Sequence, residues 1–449
     1  MIWLTFSPIA ESTKRYYGLC KTDAECKNES GPGQATVDLF LNWGPIIYVI
    51  TVFPTMWIST QKKALRKVVL LSVFLETVAV AARAIPTLFY KPNGKVPPWY
   101  TIPLVHLGQI SNAAVGPLVM ATCTLLSATW FPSKERGTAT SIAVISNNLG
   151  SFTGFFGAFV LNDNVDNLPK LLWIHFGVVM VALVLVVLYF PSKPLTPPSS
   201  SSDSREKQLA SNDNSTYLFL QDTKKALQIP EFMWLAIVGG AVGGIYNVWS
   251  GSLDTIIPNT ILTTKQCALL GAGSTAAYCL GGIAVGPVID KVKYFKRRYK
   301  LAMLLLLGFS MLLFTWFTLS LPFLNESKPI FKTSFGSLAL SIIGSGLFLG
   351  STNPLFYEFG VELTYPITEA TSGGIISIFN NIGALILLAI KTSIKTSDIN
   401  VLMTGTVLVT CIIIIIFVKE RYLRKDHEDM KRDERLMSPT NNRDGGYMF

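Results

Sequence analysis

Long apolar runs separated by short polar segments recur along most of the chain. A hydrophobic run of about 20 residues is long enough to cross a lipid bilayer as an α-helix. The pattern therefore predicts an all-α polytopic membrane protein with eleven complete spans. These spans are 37–58, 68–90, 103–130, 136–161, 170–190, 231–257, 267–290, 300–321, 335–362, 367–391 and 399–418.

The first residues predict part of a further span. The stretch MIWLTFSPIAESTKRYYG starts with a short apolar piece and then becomes polar, like the last half of a helix. We therefore expect a first helix truncated at its N-terminus, in a design of twelve spans. The stretch has neither the basic start nor the apolar core of a signal peptide.

A polar segment divides the chain. Residues 191–229 are rich in Pro, Ser and charged residues, which is typical of a flexible linker. The pattern predicts an N-terminal transmembrane half at 1–190, with its first helix incomplete, and a C-terminal half at 230–420. Residues 421–449 are expected to form a cytosolic tail.

One motif occurs in both halves. WFPSKERGTATSIAVISNNLG (130–150) and TYPITEATSGGIISIFNNIG (364–383) each contain an aromatic residue, Pro, a Glu three residues later and a distal Asn-Asn-aliphatic-Gly. Both copies lie where the fourth span of a half meets the fifth. Two repeated six-span halves around a central loop are the layout of the major facilitator superfamily. GPVIDKVKYFKRR (286–298) resembles that superfamily's Gly-x-x-x-Asp loop, which implies a bracing role for Asp290.

Five segments carry a resemblance to known transporters. They are NWGPI (42–46), HLGQI (106–110), TWFPSKERGTATSIA (129–143), VWSGSLD (248–254) and NPLFYEFGVELTYP (353–366). They resemble segments of solute carrier family 49, the group of the feline leukaemia virus subgroup C receptor-type carriers, which implies a secondary active transporter working by alternating access. Their similarity to the lysosomal member of the group implies proton-driven, electrogenic export of a small pyridoxine-type vitamin from the lysosome. A choline/ethanolamine or haem facilitator and a non-transporting receptor or scaffold are the alternatives.

Charge and glycosylation signals predict the orientation. Only 15% of the residues are charged, and the net charge is +10. Lys and Arg concentrate in the loops of one side, which the positive-inside rule places in the cytosol together with the C-terminus. The sequons at Asn28 and Asn325 then lie on the other side and that at Asn214 in the cytosol. We expect the bilayer, a small solute and protons as partners, no nucleic acid, and a monomer.

Motifs of enzymes are absent from the sequence. It has no Walker motif, no Gly-x-Ser-x-Gly and no His-Glu-x-x-His, so we expect no enzymatic activity, no cofactor and no metal. Cys20 and Cys26 share the first predicted outer loop. They could form a disulfide or remain two free thiols.

The substrate site is expected near the bilayer midplane between the halves. In the superfamily, the first, fourth, seventh and tenth spans line the cavity, so polar and aromatic residues there are candidates. Amides and an indole suit a small aromatic or cationic solute. Bonds between helices are the alternative role, above all for the paired Asn residues at 147–148 and 380–381. The predicted substrate contacts are Gln109, Asn112, Asn247, Trp249, Asn353 and Tyr357.

Four groups are candidates for proton coupling. Asp254 is the acid nearest the cavity on a lining helix, and Glu76, His106 and Glu358 are the others. Arg83 lies deep in the third span, where an unpaired guanidinium would be costly. It is expected to pair with Asp254 or Glu76, either as a structural pair or to tune a titrating acid.

Gating or bracing roles are predicted for the remaining acidic residues. Glu358 and Glu362 are four residues apart and share one helix face near the cytosolic end of the tenth span. Glu362 is expected to contact basic residues of a neighbouring loop. Glu135 and Glu369 occupy matching places at the start of a fifth span, where an acid suits the helix dipole.

Overall fold

The computed structural model shows helices and no strand in the residues it describes, which confirms the predicted all-α class. These are 2–6, 9–27, 31–59, 64–90, 97–131, 156–161, 164–194, 215–258, 261–292, 297–322, 334–367, 369–391 and 398–426, with a few isolated positions between them. The helices are α1 (Ala10–Tyr16), α2 (Asp23–Lys27), α3 (Gln34–Ser59), α4 (Ala64–Ala84), α5 (Thr101–Trp130), α6 (Gly157–Leu161), α7 (Leu168–Tyr189), α8 (Ser215–Leu227), α9 (Pro230–Gly251), α10 (Leu253–Ile256), α11 (Thr264–Lys291), α12 (Tyr299–Leu319), α13 (Phe335–Thr364), α14 (Glu369–Lys391) and α15 (Ile399–Phe417).

Ten helical segments in the described residues are long and apolar enough to cross a membrane. They correspond to ten of the eleven predicted spans. Most of the remaining span, 136–161, lies outside the described residues, and α6 is its last turn. The predicted half-span at the start differs from a single helix, since residues 3–6 form turns and α1 begins only at Ala10.

Buried clusters show which helix ends lie together. Residues from the end of α3, the start of α4 and the ends of α5 and α7 form one cluster around Val68 and Leu118. We call this side the linker end. A second cluster at the opposite end joins α1, the segment after α4, and the starts of α5 and α7 around Tyr16, Tyr90 and Leu168. The helices of the first half therefore alternate in direction, as the span pattern predicts.

The largest buried cluster comes entirely from residues 226–422. There α13 packs against α11 and α12, while α9 packs against α14 and α15. Gly244 lets α9 approach α14 closely, because a Cβ at Gly244 would collide with the main-chain carbonyl of Asn380. The second half thus forms one packed helical body.

The two halves contact each other at several places. Near the opposite end, Leu4 packs with Ala272 of α11. Along the middle and the linker end, α3 of the first half packs against α14 of the second. A Cβ at Gly374 would lie only 2.9 Å from the terminal methyl carbon of Met56, so the helices are close there.

Two features lie in the connecting segments. Residues 215–227, predicted as part of a flexible linker, form α8, which contacts α9 and α14. Cys20 and Cys26 form a disulfide with a Cα–Cα distance of 5.3 Å. Of the two alternatives for these thiols, the structure therefore has the disulfide.

Candidate functional site: a buried polar face between α4 and α5

Arg83 lies at the centre of the first half and is 1% exposed. Its Nη1 donates to Oε1 of Gln109 and to the carbonyl oxygen of Ile2, both at 3.1 Å, and its Nε donates to the carbonyl oxygen of Ala79 at 3.2 Å. Gln109 in turn donates to the carbonyl oxygen of Phe40 at 3.0 Å. A buried guanidinium needs acceptors, and these bonds join α3, α4, α5 and the start of the chain.

In the described residues, the side-chain partner of Arg83 is the amide of Gln109 rather than a carboxylate. Gln109, predicted as a substrate contact, is 2% exposed and is the side-chain acceptor for Arg83. Glu76 is two turns away on α4, within electrostatic range of Arg83 but bonded to another group. The side chain of Asp254, the other predicted partner, lies outside the described residues.

Glu76 is held by Asn112. The side-chain nitrogen of Asn112 donates to Oε1 of Glu76 at 3.0 Å and to Oε2 at 2.9 Å. Both oxygens of this carboxylate share one N–H of the amide, so the hydrogen bond is bifurcated. Protonation of Glu76 would remove its charge and turn one of the two acceptors into a donor. Asn112 is therefore a positioning partner of this acid.

His106 has a separate partner on α3. The indole nitrogen of Trp43 donates to Nδ1 of His106 at 3.0 Å, and the imidazole packs on Phe40 with ring centroids 4.8 Å apart. Because Nδ1 accepts, the neutral imidazole carries its proton on Nε2. A second proton on Nδ1 would break the bond from Trp43.

Trp249 packs inside the second half. It is 0% exposed, its indole nitrogen donates to Oδ1 of Asn400 at 2.8 Å, and its ring lies against Phe314 and Phe317. This placement favours a packing role over the predicted substrate contact. Asn247, two residues earlier, is exposed on an otherwise mostly buried helix.

Tyr357 and Asn353 lie on α13 and are half-buried. The hydroxyl of Tyr357 is 3.0 Å from the hydroxyl of Ser377 on α14. Asn381 also bonds to this residue, donating to its carbonyl oxygen at 2.9 Å. Asn380 packs against the α9 glycines, since a Cβ at Gly243 would lie 2.5 Å from its side-chain nitrogen. Asn381 therefore bonds within its own helix, and Asn380 packs α14 against α9.

Glu358 and Glu362 both bind Arg424. Nη2 of Arg424 lies 2.7 Å from Oε2 of Glu358 and 3.3 Å from Oε1 of Glu362, and the main-chain nitrogen of Lys425 donates to Oε2 of Glu362 at 3.2 Å. The side chain of Glu362 is 0% exposed and that of Glu358 is 53% exposed. The basic partner expected for Glu362 is present, but it comes from the C-terminal segment rather than a loop. The exposure of Glu358 favours bracing over proton coupling.

Further contacts hold residues 419–426, which we call the C-terminal clasp. Arg421 pairs with Glu231 at the start of α9, and the hydroxyl of Tyr422 accepts from the main-chain nitrogen of Tyr299 at 2.8 Å. Lys425 donates to the hydroxyl of Tyr299 at 2.7 Å. The clasp therefore joins the linker ends of α9, α12 and α13.

Comparison with known proteins decides the family. Residues 6–388 match the family model described as Major Facilitator Superfamily. The chain belongs to the Major Facilitator Superfamily. A solute carrier family 49 member 4 homolog of Xenopus tropicalis is 29% identical over 94% of this chain and 88% of that protein. The choline/ethanolamine transporter flvcr2b of Danio rerio is 27% identical over 91% of this chain and 80% of that protein.

Solved structures of Major Facilitator Superfamily transporters share the fold. A D-xylose-proton symporter matches with a TM-score of 0.64 at 13% identity, covering 93% of this chain and 95% of that one. A POT family transporter in complex with 5-aminolevulinic acid matches with a TM-score of 0.62 at 14% identity, covering 93% and 94%. The predicted major facilitator fold and the family 49 resemblance are confirmed.

Some predicted residues of this Major Facilitator Superfamily protein lie outside the described part. Glu135, Asn28, Asn325, Asn214 and the Asn pair at 147–148 are among them. For Asp254, Asp290 and Glu369 the backbone is described but the side chain is not, and Glu369 is the first residue of α14. In the described part, no group of three His, Cys, Asp or Glu side chains could hold a metal ion.

Four partners were not predicted from the sequence. Trp43 of α3, Asn400 of α15, Arg424 of the clasp and Ser377 of α14 each bind a predicted site residue. Asn400 is a polar residue at the start of an apolar span, which is a usable signal. The span pattern did not predict that Arg424 contacts Glu362.

Proposed function

We propose that this protein is a proton-driven secondary transporter that moves a small organic solute by alternating access of its two halves. The observation that carries the proposal is the half-buried Glu76–Asn112 pair within electrostatic range of Arg83. An ionisable residue inside a membrane span is expensive and is a functional-site hypothesis by default. The fold supplies the two halves, and this pair supplies a carboxylate that can gain and lose a proton.

The coupling step follows from the geometry. With Glu76 charged, Asn112 holds α5 to α4 through a hydrogen bond shared by the two carboxylate oxygens. With Glu76 protonated, one oxygen becomes a donor, and the positive charge of Arg83 is no longer balanced from this side. A change of protonation therefore changes the α4–α5 contact and, through Gln109, the contact with α3. Asp254 and His106 remain candidates for the same role.

The proposed solute is a small pyridoxine-type vitamin, exported from the lysosome. The similarity to a family 49 member 4 homolog supports this choice. Choline or ethanolamine is the second candidate, supported by relatives named as choline/ethanolamine transporters. The residues proposed to contact the solute are Asn112, Asn247, Asn353 and Tyr357. The C-terminus is proposed to lie in the cytosol.

Flux in proteoliposomes tests the function. Purified protein would be reconstituted, and uptake of radiolabelled pyridoxine and of choline would be measured with and without an imposed pH gradient. We expect saturable uptake of one solute that the gradient accelerates, against empty liposomes as the control. Uptake without acceleration would contradict proton coupling. Failure to transport either solute, in protein that a size-exclusion profile shows to be folded, would contradict the proposed substrates and favour the receptor or scaffold.

A further inference from the structure

The helix α8, which precedes the second half, has one side that packs on the protein and another that exposes leucines. Side chains are described for its last eight residues, 220–227. Ala226 is fully buried and Asp222 is half-buried, so this side faces the protein. Leu220 and Leu227 are 59% and 49% exposed, although both are large and apolar. The proposed transport function gives these two leucines no role.

The exposed leucines share one face, and lysines lie beside it. With 3.6 residues per turn, Leu220 and Leu227 are about 20° apart around the helix axis. Lys224 is exposed and lies about 40° from Leu220, at the edge of this apolar face. Gln221 and Lys225 are exposed at about 100° and 140° from Leu220. An apolar strip bordered by lysines is the pattern of a helix that lies at a membrane surface. We call Leu220, Lys224, Lys225 and Leu227 the outer face of α8.

The position of α8 is fixed by its neighbours. Only residues 228–229 separate it from α9, which begins at Pro230. The backbone is extended at Ile229, so the chain changes direction there and α8 does not simply continue α9. α8 contacts both α9 and α14. It is therefore held against the ends of two membrane-spanning helices.

Exposed aromatic side chains mark the bilayer interface at the linker end. Trp234, one turn into α9, is exposed and stacks on Phe417, the last residue of α15, with ring centroids 4.8 Å apart. Tyr189, the last residue of α7, is also exposed. Trp and Tyr concentrate where the hydrocarbon core meets the headgroups. Because Leu227 precedes the start of α9 by less than one turn, the outer face of α8 lies at the level of the headgroups, where lipid can cover its leucines.

We propose that the outer face of α8 docks on anionic lipids of the leaflet at the linker end. Leu220 and Leu227 enter the boundary between headgroups and acyl chains. The ammonium groups of Lys224 and Lys225 bind the negatively charged headgroups, since a lysine stem can run along apolar surface while its charge stays in the polar layer. This surface goes beyond the proposed transport function, which does not depend on it.

Spin labelling tests the depth of the leucines. In a background without the four free cysteines, a nitroxide would be attached at Leu220→Cys, at Leu227→Cys or at the control Gln221→Cys. The full chain would be reconstituted into nanodiscs of phosphatidylcholine and phosphatidylserine. We expect collisions with lipid-soluble oxygen to dominate at both leucine positions, and collisions with a water-soluble nickel chelate to dominate at Gln221, which lies on another side of the helix. Dominant nickel collisions at either leucine position would overturn the proposal, because water or a soluble partner would then cover that face.

Lipid affinity tests the lysines. Binding of short-chain phosphatidylserine and short-chain phosphatidylcholine to the full chain in detergent would be measured by thermophoresis. We expect a preference for phosphatidylserine, and Lys224→Gln combined with Lys225→Gln should weaken its binding about 30-fold. The matched control combines Arg66→Gln with Lys67→Gln, which removes the same charge from two exposed residues at the start of α4, at the same end of the protein. An equal loss in the two double variants, or no preference for phosphatidylserine in the wild type, would overturn the proposal.

Discussion

The side-chain nitrogen of Asn112 on α5 donates to both carboxylate oxygens of Glu76 on α4, at 3.0 and 2.9 Å. Two turns along α4, Arg83 bonds to Gln109, one turn before Asn112 on α5. The same pair of helices therefore carries an anion and a cation, each held by an amide from the facing helix. Protonation of Glu76 would therefore change a contact that packs α4 against α5 in the first half.

Gln109 should be needed for stability of the first half. Gln109→Ala leaves Arg83 and the carbonyl oxygen of Phe40 without their side-chain partner, so we expect a loss of about 1–3 kcal/mol. Gln109→Glu restores an acceptor for Arg83 and should lose less. Thermal unfolding in lipid nanodiscs measures both. Equal melting temperatures for wild type and Gln109→Ala would show that the network does not stabilise the protein.

The C-terminal clasp should stabilise the linker end of the second half. Arg424→Ala leaves Glu362 buried without its cation, and such breaks cost about 3–5 kcal/mol. Arg297 pairs with Asp426 at the surface, with both side chains about half exposed, so Arg297→Ala should cost about 0–1 kcal/mol. Melting temperatures of the two variants give the comparison. A loss for Arg297→Ala as large as that for Arg424→Ala would contradict the larger contribution assigned to the buried Arg424–Glu362 contact.

The approach of α9 to α14 depends on Gly244. Gly244→Ala places a methyl group against the main-chain carbonyl of Asn380, so we expect little monodisperse protein on size exclusion. Gly308 on α12 has open space around its position. Gly308→Ala should therefore be neutral or stabilise by up to about 1 kcal/mol, the helix propensity of Ala over Gly. Normal yield of Gly244→Ala would mean that the two helices are further apart.

Much of the fold was predictable because hydrophobic period and length report directly on membrane helices. The spans at 37–58 and 399–418, for example, reappear as α3 and α15. The helix at 215–227 was not predicted, since its flanking Ser- and Pro-rich residues dominate the composition of the linker. Its contacts with α9 and α14 are tertiary and leave no periodic signal.

The polar residues of the candidate site could be named from the sequence, but their hydrogen-bond partners could not. His106, Gln109 and Asn112 were candidates as polar residues of one predicted span, yet their partners Trp43, Arg83 and Glu76 depend on how three helices are arranged. Trp249 shows the opposite case. It was expected to face the cavity from α9, but the rotation of that helix directs the indole into the second half, where it meets Asn400.

Glu76→Gln tests the central claim most directly. Uptake of the transported solute into proteoliposomes would be measured across a pH gradient for wild type, Glu76→Gln and the control Glu358→Gln, normalised to the amount of folded protein. The glutamine at 76 mimics the protonated acid, so this variant should still exchange solute across the membrane but lose acceleration by the gradient, while Glu358→Gln keeps it. Full pH acceleration in Glu76→Gln would contradict Glu76 as the coupling acid.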